Sequence, residues 1–220
     1  METTAVLFDW RGTLVVPPDP RSWAEDALRR LGRDDSPEAT TELAARIQEA
    51  NGPEDRMDAP GLDANAAAHR AAFMAVFSDA RIDAELAQAL YASESDPARN
   101  PFAADAVRTI LALKARGVAV GIVSDIHFDI RPAFAAVGLE RAIDSYCLSY
   151  ELGAQKPDPV IYDHALRTLG TTPEHTLMVG DRAAPDGRAV EHGITTLLVP
   201  ALRSAQHERL STVLSIVAGG

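Results

Sequence analysis

The chain is poor in the residues that would staple it, anchor it or attach it to polyanions. Cys147 is the only cysteine in 220 residues. That excludes a disulfide framework and a zinc site built from thiolates, and fits a reducing compartment. Lys114 and Lys156 are the only lysines, and lysine plus arginine reach 21 against 32 acidic residues, a net charge of −11 with pI near 4.9. A surface of that sign repels nucleic-acid phosphates and anionic lipid headgroups, so neither nucleic acid nor membrane is an expected partner. No apolar run approaches the roughly 20 residues needed to span a bilayer. The opening stretch METTAVLFDWRGTL places Asp9 and Arg11 directly behind a strand-like run instead of reading as a leader peptide, so the expected location is cytoplasmic. What is present, 46% hydrophobic and 24% charged residues, rules out disorder and describes a soluble globular chain.

Short uninterrupted apolar runs recur at 4–8, 118–123, 176–179 and 195–199, with a weaker one at 144–150. Such runs suit strands buried on both faces. Helical patterns lie between them. The segment from Pro101 to Gly117 carries Val107, Ile110, Leu111 and Lys114 on adjoining faces, and Gly117 is a natural stop. Asp158 and Pro159 read as the N-cap and first residue of another helix, whose apolar positions Ile161, Ala165 and Leu169 step by four before Gly170. Alternating strands and helices predict an α/β core, a parallel sheet in a Rossmann-like three-layer arrangement. Residues 17–100 break the alternation. They open on VVPPDPRS, close on ESDPARNP, and read as an inserted all-helical unit of four helices on a core formed by 1–16 and 101–220. The insert holds 17 acidic and 9 basic residues, so most of the negative charge belongs to it, as a solvated helical surface.

Open parallel sheets place ligands beyond the carboxyl ends of their strands. Asp9 follows the first run and precedes Arg11, Gly12, Thr13 and Leu14; Ser124 closes the second; Lys156 lies after the third; Asp181 and Asp186 follow the fourth. Converging carboxylates suit Mg²⁺, which prefers hard oxygen ligands, while a hydroxyl and an ammonium suit phosphate oxygens.

FDWRGTL, VSD, the lysine of QKPDP and GDRAAPD, in this order over nearly the whole chain, resemble the four motifs of the haloacid dehalogenase superfamily, in its phosphatase-like branch with a helical cap inserted after the first motif. The resemblance implies a Mg²⁺-dependent hydrolase acting on a small phosphorylated metabolite. It makes Asp9 the nucleophile that carries an aspartyl-phosphate, and gives Ser124 and Lys156 the phosphoryl group to hold. Asp181 then binds Mg²⁺, joined by Asp9, by the backbone carbonyl of Arg11, and by Asp186 directly or through water. Arg11, Gly12, Thr13, Ser124, Asp125, His127 and Lys156 become the substrate-binding set.

One position departs from that pattern. Phosphatases of this kind usually carry a second aspartate two residues after the nucleophile, and here the residue is Arg11. A guanidinium, with pKa above about 12, exchanges no protons near neutrality. Arg11 is therefore read as a substrate ligand, and His127 is the candidate replacement proton carrier. The alternatives are a binding or regulatory protein, in which Arg11 pairs with Asp9 or with an acidic residue of the insert, and a dehalogenase-type hydrolase. The phosphonate-cleaving branch shares the Asp-Trp-x-Gly-Thr stretch but needs a lysine in the insert, and residues 17–100 contain none. Trp10 reads as packing, and His69, His164, His175, His192 and His207 read as surface residues.

Overall fold

The computed structural model of the chain describes residues 2–219. Five strands form one parallel sheet: β1 (Ala5–Phe8), β2 (Ala119–Ser124), β3 (Ser145–Leu148), β4 (Thr176–Gly180) and β5 (Thr195–Leu198), in the order β3-β2-β1-β4-β5. Successive side chains of a strand point to opposite faces. Val6 and Phe8 accordingly join Val120, Ile122, Leu177 and Val179 on one side of the sheet, while Leu7 joins Val123, Cys147 and Met178 on the other. Helix α5 (Ala106–Ala115), α6 (Arg131–Ala136) and α9 (Ser211–Gly219) cover the first face through Ile110, Leu113, Phe134 and Val213. The one-turn helix α7 (Ser149–Leu152) follows β3, and helix α8 (Pro159–Leu169) covers the second face through Ile161, Tyr162 and Ala165. The result is a three-layer α/β fold with parallel strands.

Local chemistry explains most boundaries. The Asp158 side chain accepts a hydrogen bond from the Val160 N–H at 2.9 Å, Pro159 begins α8, and Gly170 ends it in a left-handed turn. Two expectations need correcting. The helix before β2 starts at Ala106, not at Pro101, because Phe102 bridges Val15 and the Ala103 N–H bonds to the Leu14 carbonyl, which keeps that stretch extended; Leu111 is then 48% exposed. The run at 195–199 is not buried on both faces. As β5 it pairs only with β4, leaving Thr195 and Leu198 exposed.

Between β1 and α5 the chain forms α1 (Pro20–Arg30), α2 (Pro37–Asn51), α3 (Ala66–Asp79) and α4 (Ala84–Glu94). Aspartate caps open two of them: Asp19 accepts from the Ser22 N–H at 2.8 Å and Asp83 from the Leu86 N–H at 3.0 Å. Trp23, Ala27, Leu43, Ile47, Phe73, Val76, Phe77 and Leu90 pack together as a hydrophobic cluster separate from the two that flank the sheet. Each large apolar side chain buried there contributes about 1.5–3 kcal/mol. Outside that cluster, some of the acidic residues form surface pairs, such as Asp83 with Arg33 and Asp79 with Arg56. The chain enters and leaves these helices side by side, since the Val16 N–H bonds to the Pro101 carbonyl at 2.9 Å. No helix among the described residues is long and apolar enough to cross a membrane.

Candidate active site

β1 lies in the middle of the sheet, where strand order turns from β2 and β3 on one side to β4 and β5 on the other. A crevice opens beyond such a switch point. Asp9 is the first residue past β1, with its N–H bonded to the Val179 carbonyl at 2.9 Å. Its Oδ1 accepts from Lys156 Nζ at 2.6 Å and its Oδ2 from Thr13 Oγ1 at 3.0 Å. Lys156 donates its remaining two hydrogens to Asp186 Oδ1 at 2.7 Å and to the Val123 carbonyl at 3.1 Å. Its own N–H is held by Asp125 Oδ1 at 2.8 Å. Asp186 Oδ2 accepts from the backbone N–H groups of Asp181 and Arg182, shaping the loop behind β4.

Two glycines permit this crowding. Gly12 has φ +83°, and a Cβ there would stand 2.5 Å from Asp181 Oδ2. A Cβ on Gly180 would overlap the Asp186 carboxyl group.

Three carboxylates therefore face a single ammonium. Burial pushes the Asp9 carboxyl above its ordinary range; Lys156 opposes the shift, and Asp186 and Asp181 add to it. Burial alone would lower the Lys156 ammonium, but Asp9, Asp186 and Asp125 outweigh it and hold the charged form above its usual range. Asp181 is also raised, by burial and by Asp186. Oxygen atoms of Asp9, Asp181 and Asp186 lie within 4.8 Å of one another. An all-oxygen donor set short of positive charge suits a hard divalent cation.

A cavity of about 480 Å³ opens onto this rim, between the sheet and the helices of 20–94. Asp9, Arg11, Gly12, Ser124, Asp125 and Asp181 line it on the sheet side. Several residues read as substrate ligands are placed otherwise. Thr13 is fully buried, its hydroxyl turned to Asp9 and Asp181. Lys156 has all three ammonium hydrogens engaged by the protein. Arg11 reaches the helical unit, with Nη1 on Glu94 Oε1 at 2.6 Å, Nη2 on the Glu94 carbonyl at 2.7 Å and Nε on Asn100 Oδ1 at 3.0 Å. His127 is buried and set back from the cavity wall, with Nε2 3.0 Å from Glu94 Oε2 and Nδ1 3.3 Å from Asp63 Oδ1. Trp10 is buried in the core, edge-on to Phe128.

His69, expected at the surface, is 3% exposed and lines the cavity. Its ring stacks on His127 with centroids 3.3 Å apart and planes 11° from parallel. Donor atoms of Asp63, His69 and His127 also lie within 4.8 Å of one another. Face-to-face imidazoles, however, run their lone pairs side by side instead of converging them on one ion, so this group is a seam and not a second metal centre.

Sequence reasoning also missed Glu94, Asn100 and Arg209. The Arg209 guanidinium bonds the carbonyls of Gly12, Thr13 and Pro200, fastening the loop that carries Thr13. Glu94 and Asn100 fall in the closing stretch ESDPARNP, and an acidic residue of the insert is one of the partners the sequence offers Arg11, though nothing singles out Glu94. Nothing in the local sequence marks Arg209. Arg182 carried a fainter signal, being next to Asp181; it lines the cavity and lies 3.8 Å from Asp58 of the helical unit.

Comparison with known proteins agrees with the fold. The chain is 31% identical over 93 residues to a glyceraldehyde 3-phosphate phosphatase of Methanothermobacter thermautotrophicus, covering 41% of this chain and 41% of that protein. It is 33% identical over 96 residues to (S)-2-haloacid dehalogenase 4A of Burkholderia cepacia, covering 43% and 42%. The matched stretch thus spans less than half the length of either relative. A HAD phosphatase structure from Thermococcus onnurineus superposes with a TM-score of 0.64 at 22% identity, over 100% of this chain and 99% of that one, a likeness of fold. The family model for haloacid dehalogenase-like hydrolases matches residues 3–192, from the start of the first strand to the end of the helical turn that follows the fourth. The chain belongs to the haloacid dehalogenase-like hydrolase family.

Proposed function

We propose that the protein is a Mg²⁺-dependent hydrolase of a small phosphorylated metabolite, with Asp9 as the nucleophile. Residues 1–16 and 101–220 would form the catalytic core and residues 17–100 a cap over the cavity. One observation carries the reading: Asp9 stands between Lys156 and Thr13, beside Asp181 and Asp186, in the lining of a cavity between the sheet and the helices. Mg²⁺ held by Asp9, Asp181 and the Arg11 backbone carbonyl, with Asp186 on the ion or its waters, would neutralise charge on the transferring phosphoryl oxygens.

Phosphoryl transfer asks a protein mainly for positioning and charge compensation. Thr13 and Lys156 fix both oxygens of Asp9, leaving its carboxylate aligned for attack on phosphorus. As the Asp9–phosphorus bond forms, the bond to the leaving oxygen breaks and that oxygen takes the electron pair. Ser124, at the end of β2 and on the cavity wall, would donate to a phosphoryl oxygen. Water then attacks the aspartyl-phosphate, releasing phosphate and restoring the carboxylate. Arg11 supplies no proton to either step, and its nitrogens are engaged by Glu94 and Asn100. Loss of a positioned acid–base group costs about 10²–10⁴ in rate, so the favoured substrates are those whose leaving oxygen is a weak base, acyl phosphates above alkyl esters.

A panel of acyl phosphates and phosphate esters with Mg²⁺, run beside an Asp9→Asn control, tests this. Turnover of the acyl phosphates well above the control is expected; none above it overturns the reading. The Arg11–Glu94 pair also favours a second reading, a binding protein whose position 11 is closed to proton chemistry. Beryllium fluoride with Mg²⁺ separates the two, because a competent Asp9 forms the phosphoryl mimic and raises Tm, whereas the binding protein shows no shift.

A further inference from the structure

We propose that Glu94, the last residue of α4, is a positioning residue that holds the nucleophile loop and the phosphate-holding loop in register; this rests on the phosphoryl-transfer reading above. The Glu94 side chain is 3% exposed. Its Oε1 takes Arg11 Nη1 at 2.6 Å, and Arg11 stands two residues after Asp9 on the loop behind β1. Its Oε2 lies 3.0 Å from His127 Nε2, with Ser95 Oγ 2.9 Å from the same nitrogen and 3.2 Å from the same oxygen, and His127 stands three residues after Ser124 on the loop behind β2. One carboxylate thus ties together the two loops that carry the attacking group and the hydroxyl facing the phosphoryl group.

The span is braced at both ends. The Glu94 carbonyl accepts Arg11 Nη2 at 2.7 Å and Asn100 accepts Nε at 3.0 Å, so the guanidinium has one orientation. His127 Nδ1 faces Asp63 at 3.3 Å and its ring lies flat on His69, so the imidazole has no room to turn. Charge agrees with this geometry. Burial alone would raise the Glu94 carboxyl, but Arg11 and His127 hold it well below the usual range. Burial likewise opposes protonation of His127, yet Asp63 and Glu94 raise it. A charged group this deeply buried persists only when paired on all sides. On this account the arginine at position 11 is an anchor for Glu94 and neither a proton carrier nor a phosphate ligand.

The opposite account makes a different kinetic prediction, because removing Glu94 would free Arg11 for the phosphate and lower KM. The experiment compares wild type, Glu94→Gln and Glu94→Ala as full chains with Mg²⁺ and acetyl phosphate, and records backbone amide and histidine NMR spectra without substrate. A misplacement of about 1 Å between reacting groups costs on the order of 10²-fold. The expected result is a fall of that order in kcat for Glu94→Ala with KM little changed. Glu94→Gln should recover part of the loss, since its amide can still bridge Arg11 and His127. Amides at 11–13 and at 124–127 should shift together, and the His127 pKa should drop in Glu94→Gln. A lower KM at unchanged kcat, wild-type kinetics, or shifts confined to one loop would overturn the proposal. If Glu94→Ala does not fold, Glu94→Gln decides it. If wild type shows no turnover above Asp9→Asn, the phosphoryl-transfer reading fails, and the NMR comparison alone judges whether Glu94 spans the loops.

Discussion

The sheet and the helical unit bury charge in opposite ways. The sheet carries its ionised groups at the carboxyl ends of its central strands, where Asp9, Lys156 and Asp186 are almost wholly removed from water. The helices of 20–94 keep an apolar interior; of their buried ionisable groups, Glu94 and His69 sit on the side that meets the sheet, and Asp26 is paired with Arg30 and Arg99. Chemistry therefore collects at one rim and one seam. The helical unit's large acidic excess, conspicuous in the sequence, is mostly solvated surface and plays little part in either.

Replacing Lys156 with Met strikes hardest at the sheet side. It strands Asp9 and Asp186 without their cation, and breaking a buried pair costs about 3–5 kcal/mol. Urea unfolding at pH 7 should show that loss. It should shrink as pH falls toward the ordinary carboxylate range, because the stranded groups can then protonate. A variant as stable as wild type would mean that the carboxylates do not depend on Lys156.

On the helical side, Ile47→Ala opens a cavity in a cluster that contains no charge, at a cost of about 2–5 kcal/mol. Its stability loss should not vary with pH, in contrast to Lys156→Met. A pH-dependent loss would break the comparison.

The seam between the two regions has its own pH signature. Burial, with His127 alongside, lowers the His69 pKa from 6.5 to about 4. The unfolded chain therefore takes a proton at that imidazole before the folded chain does, and stability should fall as pH drops from 6.5 to 4. The difference corresponds to roughly 3 kcal/mol. His127 has the opposite sign: its raised pKa adds stability at low pH that is lost as pH rises through the folded value. His69→Phe keeps a ring against Phe73 and should flatten the acid-side slope in urea midpoints measured across pH. An unchanged slope would show that His69 does not carry it.

The smallest effect is expected at Leu111. Helical spacing suggests a core position, but the side chain is exposed. Leu111→Ser should change stability by no more than about 0.5 kcal/mol; a loss above about 2 kcal/mol would mean that it packs against something.

Sequence alone determined the α/β alternation, the caps at Asp158 and Gly170, and the strand-end positions of Asp9, Ser124, Lys156 and Asp181. Those features are local: apolar runs, turn residues and motif spacing are properties of a few neighbouring residues. The tertiary structure decided what Arg11, Thr13, Asp125 and His127 touch. It also brought Glu94 and Arg209 to the site from helix and tail segments with no motif of their own. Their partners lie 83 residues away for the Arg11–Glu94 pair and 197 for Gly12 with Arg209. A hydrogen bond is settled by position and direction to within a fraction of an ångström, and over such separations only the packed sheet and helices fix either.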